Sequence, residues 1–184
     1  RYLANAELLV GVIDIVAGGV LAVRGPLGTV GLQAPNSAGD AVVPRIGTVN
    51  NPNEVRLSTN EQAAADALAA NGYDVNVVQR DLGAEGVRRS DFTVDGFGRV
   101  DEYTPTNPTQ NTVVRGVVDK IGGGQADTVV VNVPSDFSNV DMYSSAVRVF
   151  NNPSASNANT LFFLQNGQLR QFDRSVVNNL TGAN

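Results

Sequence analysis

Residues 128–133, TVVVNV, place the strongest constraint on the fold. A continuous run of this kind, β-branched except at Asn132, fits a strand covered on both faces, because a strand with one wet face alternates. Helical segments flank it. Asn111–Ile121 (NTVVRGVVDKI) carries apolar residues at helical spacing and ends at Gly122-Gly123-Gly124, and Met142–Phe150 also reads as a helix. A buried strand between two helices predicts an α/β fold, a sheet with helices on its faces.

The segments upstream extend this pattern. Ser58-Thr59-Asn60-Glu61 ahead of AAADALAA is a capping box followed by strong helix formers, and Gly72 is a stop signal. Tyr73–Val78 alternates and predicts a strand, followed by the charged loop QRDLGAEGVRRS. Asp91–Val94 and Arg99–Tyr103 predict two strands joined at Asp95-Gly96. Thr160–Leu164 predicts another, pairing with Gly167–Phe172 through Asn166-Gly167. The tail from Ser175 is polar and predicted to fray. A hairpin followed by a crossover helix implies a mixed β-sheet, antiparallel and then parallel.

Residues 1–53 stand apart. Leu8–Val23 is apolar except for Asp14, and residues 25–54 are rich in Gly, Pro and Asn. We expect residues 1–53 to form a partly helical connector and 54–184 the functional domain. No apolar run reaches the roughly 20 residues of a membrane-spanning helix, so stable membrane insertion is not expected.

Composition narrows the chemistry. The chain has no His, which removes an imidazole base, His–metal ligation and a Ser-His-Asp triad. It has no Cys, which removes thiolate nucleophiles and Cys-held zinc. Any metal must be held by oxygen, which favours magnesium-like or manganese-like ions. The net charge of −5 and pI of about 4.6 count against a nucleic-acid binder, although the local field matters more than the total. The 13 basic residues include one lysine, Lys120, the rest being arginine. A lone Lys fits a place that needs a compact ammonium; a codon bias toward Arg is the alternative.

Asp91 and Asp101 lie on neighbouring short strands joined by the Asp95-Gly96-Phe97-Gly98 turn. Paired strands bring such carboxylates together, where they repel unless a cation lies between them. Solvent-facing acids beside a turn are the alternative. Glu61 is explained by its capping box, or it is a third carboxylate aimed at the strands; the two uses call for different rotamers. Glu102 is expected to point to the opposite face from Asp101. Lys120 either complements the helix dipole or carries its ammonium inward to a reacting phosphate. Gln125 either contacts substrate or caps its turn. Arg88, Arg89, Arg99 and Arg115 form a local basic group, either phosphate contacts or a solvated face.

Taken together, LSTNEQAAADALAANGYDV, SDFTVDG, RVDEYTP and NTVVRGVVDKIGGGQADTVVVNV resemble the C-terminal toxin domain of CdiA-type contact-dependent growth inhibition proteins. The class they resemble is the tRNA nucleases with a restriction-endonuclease-like PD-(D/E)xK fold, and the likeness spans Leu57 to Phe172. It implies Glu61, Asp91 and Asp101 as ligands of Mg2+ or Mn2+, with Zn2+ as another option, and Lys120 as the catalytic lysine. Related nucleases often place that lysine two residues after the second acid. Here Tyr103 stands at that position, so a lysine from the following helix has to compensate. The resemblance further implies tRNA as substrate and a cognate immunity protein as partner. The toxin would be part of a larger secreted or surface protein, acting in a neighbouring bacterium's cytoplasm, with residues 1–53 as the connector or import segment. Toxins of the EndoU, HNH and RNase A types need histidine and are excluded. A DNA-cleaving enzyme of the same fold and a non-catalytic interaction module are the alternatives, the latter favoured by the acidic pI.

Overall fold

The computed structural model describes residues 45–79 and 89–181. The expected helix near Leu8–Val23, most of the charged loop with Arg88, and the last three residues lie outside the described residues.

Along the described chain come β1 (Val49–Asn50), α1 (Thr59–Ala70), β2 (Val75–Val77), β3 (Phe92–Val94), β4 (Gly98–Tyr103) and α2 (Gln110–Gly122). Then follow β5 (Thr128–Asn132), α3 (Asn139–Phe150), a 3-10 turn (Pro153–Ala155), β6 (Thr160–Gln165), β7 (Gln168–Asp173) and α4 (Arg174–Thr181). The strands form one sheet in chain order from β1 to β7. Strand β3 runs antiparallel to both of its neighbours, β2 and β4; β4, β5 and β6 are parallel, and β7 turns back antiparallel on β6. This is the expected mixed α/β sheet.

The centre of β5, Val129–Val131, is apolar because both of its faces are covered. Val130 joins Phe92, Val100, Phe162 and Leu68 in the core under α1. Val129 and Val131 join Val117, Ile121, Met142, Val149 and Phe163 in the core under α2 and α3. The capping box that opens α1 is formed as expected, Ser58 with Glu61, and equivalent boxes open α2 at Thr109 and α3 at Ser138.

Two elements differ from expectation. The short β1 lies within the Gly/Pro/Asn-rich stretch and pairs parallel with β2. It is fixed from a distance: the Asp74 carboxylate accepts from the Thr48 backbone N–H at 3.0 Å and its hydroxyl at 3.1 Å. Gly47 supports the same join, since a Cβ there would meet the Tyr73 carbonyl at 2.0 Å. The described part of the tail, residues 175–181, is not a coil but belongs to α4, because Val177 is buried (3% exposed) against the α2/α3 core. Arg174 anchors its start by donating to the carbonyls of Ala158 at 2.7 Å, Ala155 at 2.9 Å and Phe150.

Candidate active site

Alternation along β4 divides its side chains between the two layers. Val100 lies in the α1 core, while Tyr103 packs against the α2 core. Asp101 shares the Tyr103 face by period and is fully buried (0% exposed). One of its oxygens, Oδ2, accepts from Lys120 Nζ at 2.5 Å and from Gln125 Nε2 at 2.6 Å. The other, Oδ1, is buried without a hydrogen-bond donor. A buried carboxylate oxygen without a partner is costly, so it marks a place where a proton or a cation belongs.

Asp91 precedes β3. Phe92 pairs with Val100, so the antiparallel register carried one residue further sets Asp91 opposite Asp101. Its Oδ2 accepts from the Glu102 backbone N–H at 2.9 Å. Burial first, then a side-chain hydrogen bond with Asp101 and the charge of that residue, raise the Asp91 carboxyl to about 6, so a proton on Asp91 is shared toward Asp101. The Glu102 N–H and a hydrogen bond with Glu61 oppose that rise. The two aspartates therefore share a site that tolerates one negative charge more easily than two.

Glu61 reaches this site from the start of α1. Its Oε2 accepts from the Ser58 backbone N–H at 2.7 Å and completes the cap, and the same carboxyl hydrogen-bonds with Asp91. One rotamer thus serves both uses, contrary to the expectation that they exclude each other. Glu102 also belongs to the neighbourhood. Burial raises its carboxyl, and the Thr104 hydroxyl bonded to it opposes the rise, as does the charge of Lys120. Alternation gives Glu102 the α1 face, but β3 begins only at Phe92, so the end of the sheet is open to both layers here. Asp91 and Glu61 both contribute to the charge that Glu102 experiences.

The arginines are placed differently. Arg99 donates through Nε and Nη2 to Asp127 at 3.0 and 2.8 Å and through Nη1 to the Gly124 carbonyl at 2.6 Å. All three nitrogens brace the turn between α2 and β5, and the structure does not bring Arg99 into the carboxylate cluster. Arg115 is exposed, 3.9 Å from Asp119, and borders a cleft of about 540 Å3. Tyr103, Asn107, Gly116, Lys120 and Gln125 also line that cleft, which therefore opens beside the Asp101 pair. Arg89 is exposed two residues before Asp91, and Arg88 lies outside the described residues.

Among the described residues, no group of three or more acids stands ready to hold an ion. The donor set that suits one is the Asp91–Asp101 pair with its unpartnered oxygen. Two carboxylates suffice for a magnesium-like ion, which keeps several of its waters.

No protein-family profile and no curated protein matches the chain. Among solved structures, the chain matches one from the CdiA-CT/CdiI toxin and immunity complex of Burkholderia pseudomallei, with a TM-score of 0.51 and 22% identity. The match covers 69% of this chain and 99% of that one. At this identity the likeness is one of fold: the domain has a CdiA-CT toxin-like α/β fold.

Proposed function

We propose that the domain is a metal-dependent endoribonuclease that cleaves tRNA, the toxin of a contact-dependent growth inhibition system. In this reading its core is of the restriction-endonuclease-like PD-(D/E)xK type. It travels as part of a larger secreted or surface protein, acts in the cytoplasm of the target bacterium, and is neutralised by a cognate immunity protein. Among the described residues no helix is long and apolar enough to cross a membrane. The toxin assignment draws on the fold likeness together with the site.

The observation that carries the chemistry is Asp101: fully buried, held on one oxygen by the chain's only lysine, without a hydrogen-bond donor on the other, and facing an aspartate raised to about 6. Asp91 and Asp101 are the residues that would hold Mg2+ or Mn2+, with Zn2+ also compatible with oxygen donors. When bound, such an ion activates water and offsets charge on a phosphate. Gln125 and Lys120 fix the orientation of the Asp101 carboxylate, and Glu61 holds Asp91. Lys120, at the edge of the cleft, supplies positive charge where a phosphate would lie. Arg115, on the cleft border, is the arginine among the described residues best placed to meet the RNA backbone.

The test is to incubate the protein with total tRNA and supercoiled plasmid, with Mg2+, Mn2+ or Zn2+ and with chelator. Cleaved tRNA and intact plasmid in the metal-containing reactions is the expected result. Nicked plasmid with intact tRNA would replace the RNA substrate with DNA, and no cleavage of either would overturn the nuclease reading.

A further inference from the structure

We propose that Tyr103 is a positioning residue that holds Lys120 on Asp101, and that Gly116 is glycine to seat it. The consequence for catalysis rests on the nuclease reading above; the positioning itself does not.

Thr112, Gly116 and Lys120 recur every four residues and so form one stripe on α2. Tyr103 lies along that stripe from β4. Its hydroxyl donates to the Thr112 carbonyl at 3.2 Å. A Cβ on Gly116 would fall 2.2, 2.3 and 2.5 Å from the ring's Cζ, Cε1 and hydroxyl oxygen, so the ring rests directly on bare helix backbone. Lys120 Nζ stands 6.0 Å from the ring centroid, at the outer reach of a cation–π contact, and 2.5 Å from Asp101 Oδ2. Asp101 and Tyr103 are two residues apart on one face of β4, so the acid and the ring present a continuous surface to the lysine.

This surface resolves a problem created by the cleft. A lysine stem has four rotatable carbons and a strongly hydrated head. Lys120 borders an open volume of about 540 Å3, into which its ammonium could swing. The ring lines that volume beside Lys120, whose side chain is only 21% exposed. Glycine within a helix is otherwise a poor choice beside alanine, and the close approach of the ring accounts for it here.

Lys120 is the only lysine of the chain, so an amine-acylating reagent reads this residue and the α-amino group alone. We expect slow acylation of Lys120 in the native protein, measured by peptide mass spectrometry with the α-amino group as internal reference. Tyr103→Ala and Gly116→Ala should each speed it by about tenfold or more, with circular dichroism unchanged, because the protected side chain gains access to solvent. Tyr103→Phe keeps the ring and should stay within about twofold of the native rate. Asp101→Asn, which removes the ion-pair partner, should also accelerate labelling. Should Tyr103→Ala destabilise the sheet, Gly116→Ala still decides, since alanine favours the helix. Unchanged labelling in Gly116→Ala, with Asp101→Asn accelerated, would overturn the proposal. Accelerated labelling in a protein that cuts no nucleic acid would keep the positioning role and discard the nuclease.

Discussion

Replacing Asp101 with alanine should abolish cleavage, lowering the rate by about a thousandfold or more while the fold persists. The acid is the one side chain that joins all the parts of the site. It is fully buried, Lys120 and Gln125 both bond to its Oδ2, and its Oδ1 is the oxygen left open. Removing it deletes half of the carboxylate pair that would hold the ion and releases the lysine from its orientation. Loss of a single preorganised charged group at a reacting centre costs on the order of 10² to 10³ in rate, and here two functions are lost together. The structural penalty is smaller. Breaking a buried pair is severe when the remaining charge stays buried, but Lys120 is 21% exposed and borders the cleft, so its ammonium can reach water. We expect about 1–2 kcal/mol of lost stability, measured by urea unfolding, on a scale where a fully buried orphan would cost roughly 3–5 kcal/mol. A variant that folds and still cleaves at the native rate would remove Asp101 from the mechanism.

Asp91→Asn should do the reverse to stability while also ending activity. The folded-state pKa of Asp91 is raised to about 6 from its ordinary value of 3.8. The folded protein therefore holds this proton more tightly than the unfolded chain. Below about pH 4 both states are protonated and the site costs nothing. Between about pH 4 and 6 the unfolded chain gives up the proton while the folded state keeps it, so stability falls across that window and levels off once the folded carboxyl has ionised too. Asparagine retains an acceptor for the Glu102 N–H and carries no charge. The metal-free variant should thus be more stable than the native protein at pH 7.5 by roughly 1–2 kcal/mol, after allowing for the partial exposure of Asp91. The gain should shrink toward zero near pH 4. Urea unfolding of both proteins at pH 4, 5.5 and 7.5 measures it. An active-site group that destabilises the empty protein and is needed for turnover is the usual stability–function trade-off.

How much of this could be read from the sequence depended on the distance between interacting residues. That Asp91 and Asp101 lie near each other is legible in the sequence because a tight turn closes a hairpin between them within a dozen residues, while the register that sets them opposite depends on a three-residue loop the sequence does not specify. Strand β5 and the α1 capping box were legible because burial pattern and cap chemistry are local. The role of Arg99 is not legible: its partner Asp127 lies 28 residues away, so the sequence groups it with its neighbours as a phosphate contact or a solvated face. Alternation assigns Glu102 the face opposite Asp101, which is correct, but does not show that β3 starts too late to cover the end of β4. The role of Gly116 depends on where Tyr103 lands, and helix periodicity does not report that. Elements β1 and α4 escaped for a related reason: a parallel partner and a buried valine hold them, not propensity.

The most direct test is the pH dependence of Mn2+-dependent tRNA cleavage, measured at sub-saturating metal from pH 5 to 7.5 in the native protein and its Asp91→Asn and Asp101→Ala variants. The carboxylate pair predicts a rate that climbs as Asp91 loses its proton near pH 6, disappears with chelator, and is absent from both variants at every pH. Cleavage that survives chelation, or that either variant retains, would contradict it.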